Sequence, residues 1–127
     1  MKNRALILAA AMSFAFASAA FAAPPTKQAT TAKGAVLTDA KGMTLYTFDK
    51  DAEGKSACNG PCATNWPVLK AEASDKADGG YSIITRDDGS KQWAYKSKPL
   101  YTFAKDQKAG DIMGDGFLNG AWHLAQP

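Results

Sequence analysis

The sequence contains few of the side chains on which most enzyme chemistry depends. It has one histidine, His123, and two cysteines among 127 residues. It has no Gly-x-Ser-x-Gly segment, so a serine nucleophile of that type is excluded, and any Ser-His-Asp triad would have to use His123. The glycines of Gly114–Gly120 do not have the spacing of a dinucleotide-binding fingerprint. We therefore expect a protein that is not an enzyme and that holds no cofactor.

Long hydrophobic runs are absent outside the N-terminus. Residues 5–20 are uncharged and mostly apolar, they follow the basic segment Met1–Arg4, and Ala20-Phe21-Ala22 has the small-x-small pattern of a cleavage site. The run is too short and too rich in alanine for a membrane span. We expect a cleaved signal peptide over residues 1–22 and a mature protein that is periplasmic or secreted. No cysteine lies near the cleavage point, so we expect neither a lipid anchor nor a membrane span in the mature form.

An excess of charge of one sign is also missing once the signal peptide is removed. Lys2 and Arg4 lie in that segment, so 15 basic residues fall to 13 against 12 acidic ones. A net charge of 13 − 12 = +1 speaks against nucleic-acid binding. The remaining 127 − 22 = 105 residues carry 23 large apolar side chains, which are enough for one core.

The two cysteines stand close together in Cys58-Asn59-Gly60-Pro61-Cys62. An exported protein meets an oxidising compartment, and Asn-Gly-Pro favours a turn, so we expect a disulfide. Haem attachment is excluded because Ala63 follows the second cysteine, and a zinc site lacks ligands. A copper-binding or thiol-redox role stays open, since soft thiolates favour Cu(I) and Met113 and His123 could assist. In the favoured interpretation the protein holds no metal.

An internal repeat organises the chain. Leu45–Asp51 recurs as Leu100–Asp106 with six of seven positions identical, and Trp66 has a counterpart in Trp122. We expect one domain over residues 35–127 built from two pseudo-symmetric repeats, at about 36–69 and 84–125.

The local patterns are those of β-strands. Tyr81–Arg86 and Lys91–Tyr95 flank an Asp-Gly turn and predict a hairpin, and the segments that contain the repeat are rich in aromatic and β-branched residues. The helical signal is poor, and the proline-containing segment 23–34 is expected to be a flexible leader. We predict a small all-β domain of antiparallel strands and hairpins with long loops and little helix.

The aromatic residues of the repeats form the strongest constellation. Because side chains alternate along a strand, Tyr46 and Phe48 share one face, as do Tyr101 and Phe103. Each repeat places an aspartate where the chain must turn, and a tryptophan that can cover the aromatic pair. These turn and covering residues are Asp51, Asp106, Trp66 and Trp122. We expect all eight to be chiefly structural, with an open aromatic groove as the alternative.

Two loops invite a functional interpretation. Asp49–Gly54 matches the first half of a calcium-binding loop, but Gly60 stands where the bidentate glutamate belongs, so a solvated turn is favoured. Lys105–Gly120 is long and rich in glycine, and loops of that length are often functional. We expect it to be ordered and to form the contact surface.

Several of these segments resemble a family of bacterial secreted proteins and lipoproteins with a Y-x-[FWY]-x-x-D motif. Tyr46–Asp51 and Tyr101–Asp106 are similar to its two motif copies, and Cys58–Pro67 is similar to its Cys-x-Gly-x-Cys-Ala-x-x-Trp-Pro segment. Further similarities are found at Lys98–Tyr101, Gly110-Asp111 and Trp122, so the resemblance extends from Val36 to Leu124. It implies an envelope or secreted protein with no established reaction. Many members are lipoproteins, but this chain lacks their lipid-bearing cysteine.

Taken together, these features predict an exported, non-enzymatic β-module that binds an envelope protein or a small ligand. The alternative is a periplasmic copper-binding or thiol-redox protein that uses Cys58 and Cys62.

Overall fold

The computed structural model describes residues 25–127, so the predicted signal peptide lies outside the described residues. The described part consists of short antiparallel strands with two helices of a single turn. The strands are β1 Thr26–Thr31, β2 Gly34–Asp39, β3 Tyr46–Phe48, β4 Tyr81–Thr85, β5 Lys91–Tyr95, β6 Lys98–Pro99 and β7 Trp122–Leu124. The helices are α1 Pro61–Asn65 and a distorted turn, α2 Phe117–Gly120, in which Leu118 and Asn119 have non-helical φ and ψ.

The strands form three small antiparallel sheets, with orders β1-β2, β3-β7 and β4-β5-β6. In the third sheet Thr85 pairs with Lys91 and Tyr81 with Tyr95, which is the hairpin that the Asp-Gly turn predicts. The all-β class, the antiparallel pairing and the low helix content are therefore as predicted.

The structure corrects the prediction of a flexible leader at residues 23–34. Thr26–Thr31 form β1, which pairs with β2 along its whole length, from Thr26↔Asp39 to Thr31↔Gly34. Threonine is β-branched and favours extended backbone, and Gly34 adopts the positive φ of 102° where the chain turns back. A second difference concerns Leu100–Phe103, which form single pairings of Tyr101 with Tyr46 and Val68 in place of a continuous strand.

The two halves of the chain exchange their terminal segments. In the first half, the amide of Leu37 donates to the carbonyl of Ala125, and the amide of Ala125 donates to Leu45. The segment that completes this hairpin therefore comes from the end of the second half.

The second half repeats the arrangement with the roles reversed. The amide of Trp93 donates to the carbonyl of Leu69, and the amide of Leu69 donates to Leu100. Here the end of the first half completes the hairpin of the second. Because each half supplies a terminal segment to the backbone pairing of the other, the two repeats interlock.

The core consists of two clusters. Neighbouring side chains on a strand point to opposite faces, so Leu45 and Leu100 enter one cluster while Tyr46 and Tyr101 enter the other. The first cluster is mainly aromatic and the second mainly aliphatic around Trp93. Residues of the repeated segments thus contribute to both clusters.

Candidate functional site

The tyrosine of each motif copy donates a hydrogen bond to the aspartate of the other copy. The hydroxyl of Tyr46 lies 2.6 Å from Asp106 Oδ2, and the hydroxyl of Tyr101 lies 2.6 Å from Asp51 Oδ2. Both tyrosines are fully buried. Between them the backbones of Tyr46 and Tyr101 exchange two hydrogen bonds, of 2.7 and 3.0 Å. The two copies therefore meet around a local pseudo-twofold axis.

Each aspartate also fixes the loop that follows it. Asp51 Oδ1 accepts the amide of Ala57 at 2.6 Å, and Asp106 Oδ1 accepts the amide of Met113 at 2.9 Å. The Y-x-F-x-x-D spacing thus places one carboxylate so that it receives a phenol from the other repeat and an amide from its own.

Burial controls the protonation of these groups. Removal from water raises the pKa of Tyr46 and of Tyr101 above the usual value, and the adjacent carboxylates Asp106 and Asp51 raise the tyrosine pKa further. Burial also raises the pKa of Asp51 and of Asp106, partly offset by the hydrogen bonds that each carboxylate accepts from the tyrosine. The tyrosines remain protonated donors throughout the neutral range.

Four rings form a stacked column in the order Phe48, Trp122, Trp66, Phe103, which we call the aromatic column. Its central pair, Trp66 and Trp122, is parallel within 3° with centroids 3.6 Å apart, and each tryptophan stacks on a phenylalanine at 4.1 Å. Tyr46 meets Trp66 edge-on, as Tyr101 meets Trp122. The tryptophan rings are buried, so the column belongs to the core and is not an open aromatic groove.

Cys58 and Cys62 lie at disulfide distance, with their Cα atoms 5.2 Å apart. Cys58 is fully buried beside the aromatic column, and Trp66 donates its amide to the carbonyl of Cys62. We call Cys58–Cys62 the stapled loop. It is attached to the same cluster as both motif copies.

Sequence reasoning missed Arg86, which anchors the stapled loop. Its guanidinium is buried and donates to the Cys58 carbonyl at 2.5 Å, to Ser56 Oγ at 2.9 Å and to Gln92 Oε1 at 2.7 Å. Ser56 in turn lies 2.5 Å from the Tyr101 hydroxyl. Arg86 stands beside an exposed hairpin turn in the sequence, and only the tertiary fold brings it to residues 56–59.

Pseudo-symmetry gives the stapled loop a counterpart in the second repeat. Trp66 corresponds to Trp122 and Ala57 to Met113, so Cys58 corresponds to Gly114 and Cys62 to Leu118. The second loop therefore has no disulfide. Lys105–Gly120, which we call the contact loop, is held instead by the bond of Met113 to Asp106, by Thr44 Oγ1 donating to the Asp111 carbonyl at 2.7 Å, and by Lys33 against Asp115.

The contact loop exposes apolar side chains. Among residues 25–127, the exposed large hydrophobic residues are Met113, Phe117 and Leu118, at 61, 44 and 53 % exposure. The ring of Phe117 packs against the column at Trp66. Leu118 and Asn119 have φ of 59° and 57°, a left-handed conformation that is uncommon for residues other than glycine.

The residues of the alternative copper site make other contacts in the structure. Both cysteines lie at disulfide distance, and His123 Nε2 is 2.8 Å from Asp49 Oδ2. Within the described range 25–127, no group of three or more histidine, cysteine or acidic side chains is arranged to hold a metal ion. Asp51 of the calcium-like segment is engaged by Tyr101 and Ala57. The copper and thiol-redox alternative stays a prediction.

Comparison with known proteins agrees with the repeated architecture. A family model described as a secreted repeat of unknown function matches residues 27–70 and again residues 82–126. No curated protein and no solved structure shows significant similarity to the chain. No helix within residues 25–127 is long and apolar enough to cross a membrane. Two matches that together cover most of the sequence show that the chain belongs to the family of secreted repeats of unknown function.

Proposed function

We propose that this secreted repeat protein is a non-catalytic binding module whose contact loop docks on a partner protein of the bacterial envelope. The observation that carries the proposal is the placement of Met113, Phe117 and Leu118, the exposed large apolar residues of the described chain, on this loop. Exposed apolar patches of soluble proteins mark interaction sites, and methionine and phenylalanine are enriched at the cores of protein interfaces.

The comparison between the repeats supports a role for this loop beyond folding. At the corresponding positions the first repeat has the buried Cys58 and the partly buried Cys62 at disulfide distance, whereas the second has Gly114 and the exposed Leu118. Keeping Leu118 in a left-handed conformation costs about 1–2 kcal/mol, whereas Asn119 adopts that conformation more readily. Such strain persists where the surroundings hold it in place, and it concentrates at functional sites.

The loop is also positioned by the scaffold rather than by its own contacts alone. Gly114 donates its amide to the Tyr46 hydroxyl at 3.2 Å, and Gly116 donates to the carbonyl of Trp122 at 2.9 Å. A loop that is ordered before it meets a partner loses less conformational entropy on binding. In this proposal the motif copies and the aromatic column serve to present the loop.

The proposal is tested by photo-cross-linking in the envelope of cells that produce the full chain. A benzophenone amino acid at position 118 is compared with one at Thr64, an exposed position on α1 in the corresponding part of the first repeat. We expect a discrete protein adduct from position 118 and none from position 64.

Competition makes the result specific to the apolar residues. Added wild-type protein should suppress the adduct, whereas the variant with Met113→Ser and Leu118→Ser should not. Identical adducts from positions 118 and 64, or equal suppression by both competitors, would contradict the proposal.

A further inference from the structure

We propose that a second surface, separate from the contact loop, binds a small organic carboxylate. It is a groove beside the β3–β7 ladder with a volume of about 530 Å³, within the range of small-molecule sites, roughly 300–1,000 Å³. We call it the basic groove. The residues that define it here are Thr47, Asp49, Tyr95, Lys96, Lys98 and His123.

Antiparallel pairing brings the floor of the groove together. Thr47 lies directly opposite His123 in the β3–β7 register, and both side chains therefore stand on one face of the ladder. Asp49 accepts a hydrogen bond from Nε2 of His123 at 2.8 Å and so orients the imidazole. With Nε2 as the donor, Nδ1 is an acceptor in the neutral ring and can donate to a carboxylate only in the imidazolium form.

Two lysines without acidic partners form one wall. Among residues 25–127 the ion pairs are Lys33–Asp115 and His123–Asp49, so neither Lys96 nor Lys98 has a carboxylate within ion-pair distance. The ammonium of Lys96 lies 5.2 Å from the centre of the Tyr95 ring. Unneutralised cations at a concave surface attract anions.

The turn that carries these lysines is strained. Lys96 and Ser97 link β5 to β6 with φ of 51° and 69°, where a two-residue hairpin turn normally uses Asn-Gly. Ser97 accepts the amide of Gly54, and Lys96 donates its amide to Gly80, so neighbouring segments fix the turn. An unfavourable turn residue that supplies a cation to a groove is the kind of outlier that points to function.

The other residues that line the groove indicate which kind of anion fits it. The exposed Pro127 contributes apolar surface next to the cations, whereas Leu124 and Ala125 are buried beneath the groove, and the volume exceeds what one inorganic anion fills. A carboxylate with an apolar or aromatic body would place its charge at the lysines and its body against this surface. We therefore assign the groove to carboxylates of this class.

The test uses 2-naphthoate as the probe and follows backbone amide shifts of the full mature chain by NMR. The neutral 2-naphthylmethanol controls for the apolar body. The variant with Lys96→Gln and Lys98→Gln removes the groove charges, and the variant with Lys27→Gln and Lys41→Gln removes two exposed charges elsewhere.

We expect saturable shifts at Tyr95, Lys96, Lys98 and His123 with naphthoate. Affinity should fall about tenfold in the groove variant, equivalent to about 1.4 kcal/mol, and stay near the wild-type value in the control variant. Equal binding of the neutral analogue, equal losses in both lysine variants, or shifts confined to other surfaces would overturn the proposal. None of these results depends on the contact loop, so the two proposals fail or stand separately.

Discussion

The tyrosine of each motif copy forms a hydrogen bond with the aspartate of the other copy. A buried phenol or carboxylate without a partner destabilises the folded state, so the reciprocal arrangement explains why each copy needs both residues. The turn position of Asp51 and Asp106 could be predicted from spacing. The partner of each could not, because 50 and 60 residues separate the bonded tyrosine and aspartate.

The raised pKa of the two buried tyrosines predicts that the protein loses stability in alkaline solution. Tyr46 and Tyr101 have a raised pKa in the folded state, whereas an unfolded tyrosine ionises near pH 10. The unfolded state alone then releases these protons, so the stabilisation is complete below about pH 10 and declines above it, by about 1.4 kcal/mol per pH unit for each tyrosine. Urea unfolding between pH 8 and 11.5 measures how the free energy of unfolding changes with pH. The Tyr46→Phe/Tyr101→Phe variant should show a shallower decline, and an unchanged slope would show that other groups cause it.

Gly114 is predicted to be intolerant of a side chain for steric reasons. A Cβ there would come within 2.7 Å of the Trp66 ring and 3.0 Å of the Tyr46 ring. Overpacking of this kind costs about 1–3 kcal/mol, so Gly114→Ala should lower the free energy of unfolding by that amount. Denaturant titration measures the change, and a loss below about 0.5 kcal/mol would show that the column shifts without cost.

At the level of elements, hairpins were predictable where turn chemistry is strong, as between β4 and β5. The strand at Thr26–Thr31 could not be predicted. Its sequence is mostly polar, and it is extended because it pairs with β2, a contact that its own sequence does not specify. The shape of the contact loop was also beyond prediction. Its length suggested an ordered surface, but the exposure of Phe117 and Leu118 follows from tertiary packing.

The stapled loop gives a prediction at this scale. A disulfide that closes a five-residue ring restrains the unfolded chain by about 2 kcal/mol. We expect the Cys58→Ser/Cys62→Ser variant to fold, to lose about that much stability and to keep its contact-loop cross-link. A free-thiol count and Cu(I) titration of the wild-type protein test the alternative, which requires reactive thiols and copper uptake.

The strained turn between β5 and β6 gives a second prediction at the scale of elements. Ser97 has φ of 69°, and glycine removes the left-handed penalty of about 1–2 kcal/mol. Ser97→Gly should therefore raise the midpoint of urea unfolding, with Ser90→Gly as a comparison at a serine that has no positive φ. A lower midpoint for Ser97→Gly would contradict the assignment of strain to this turn.

For the whole molecule, the repeat predicted one pseudo-symmetric domain, and the family match confirms two repeats. The repeat did not reveal that the terminal segment of each half pairs with the other half, since this exchange depends on backbone pairings such as Leu37 with Ala125 and Trp93 with Leu69. Interlocked halves cannot unfold one at a time, so the scaffold should act as one cooperative unit.

The most direct test of this interlocked scaffold is a pair of double-mutant cycles in urea. One combines Tyr46→Phe with Asp106→Asn, which join the two repeats, and the other combines Tyr46→Phe with Asp51→Asn, which lie in the same motif copy. We predict a coupling free energy of about 0.5–3 kcal/mol in the first cycle and near zero in the second. Coupling in the second cycle that equals or exceeds that in the first would contradict reciprocal pairing of the repeats.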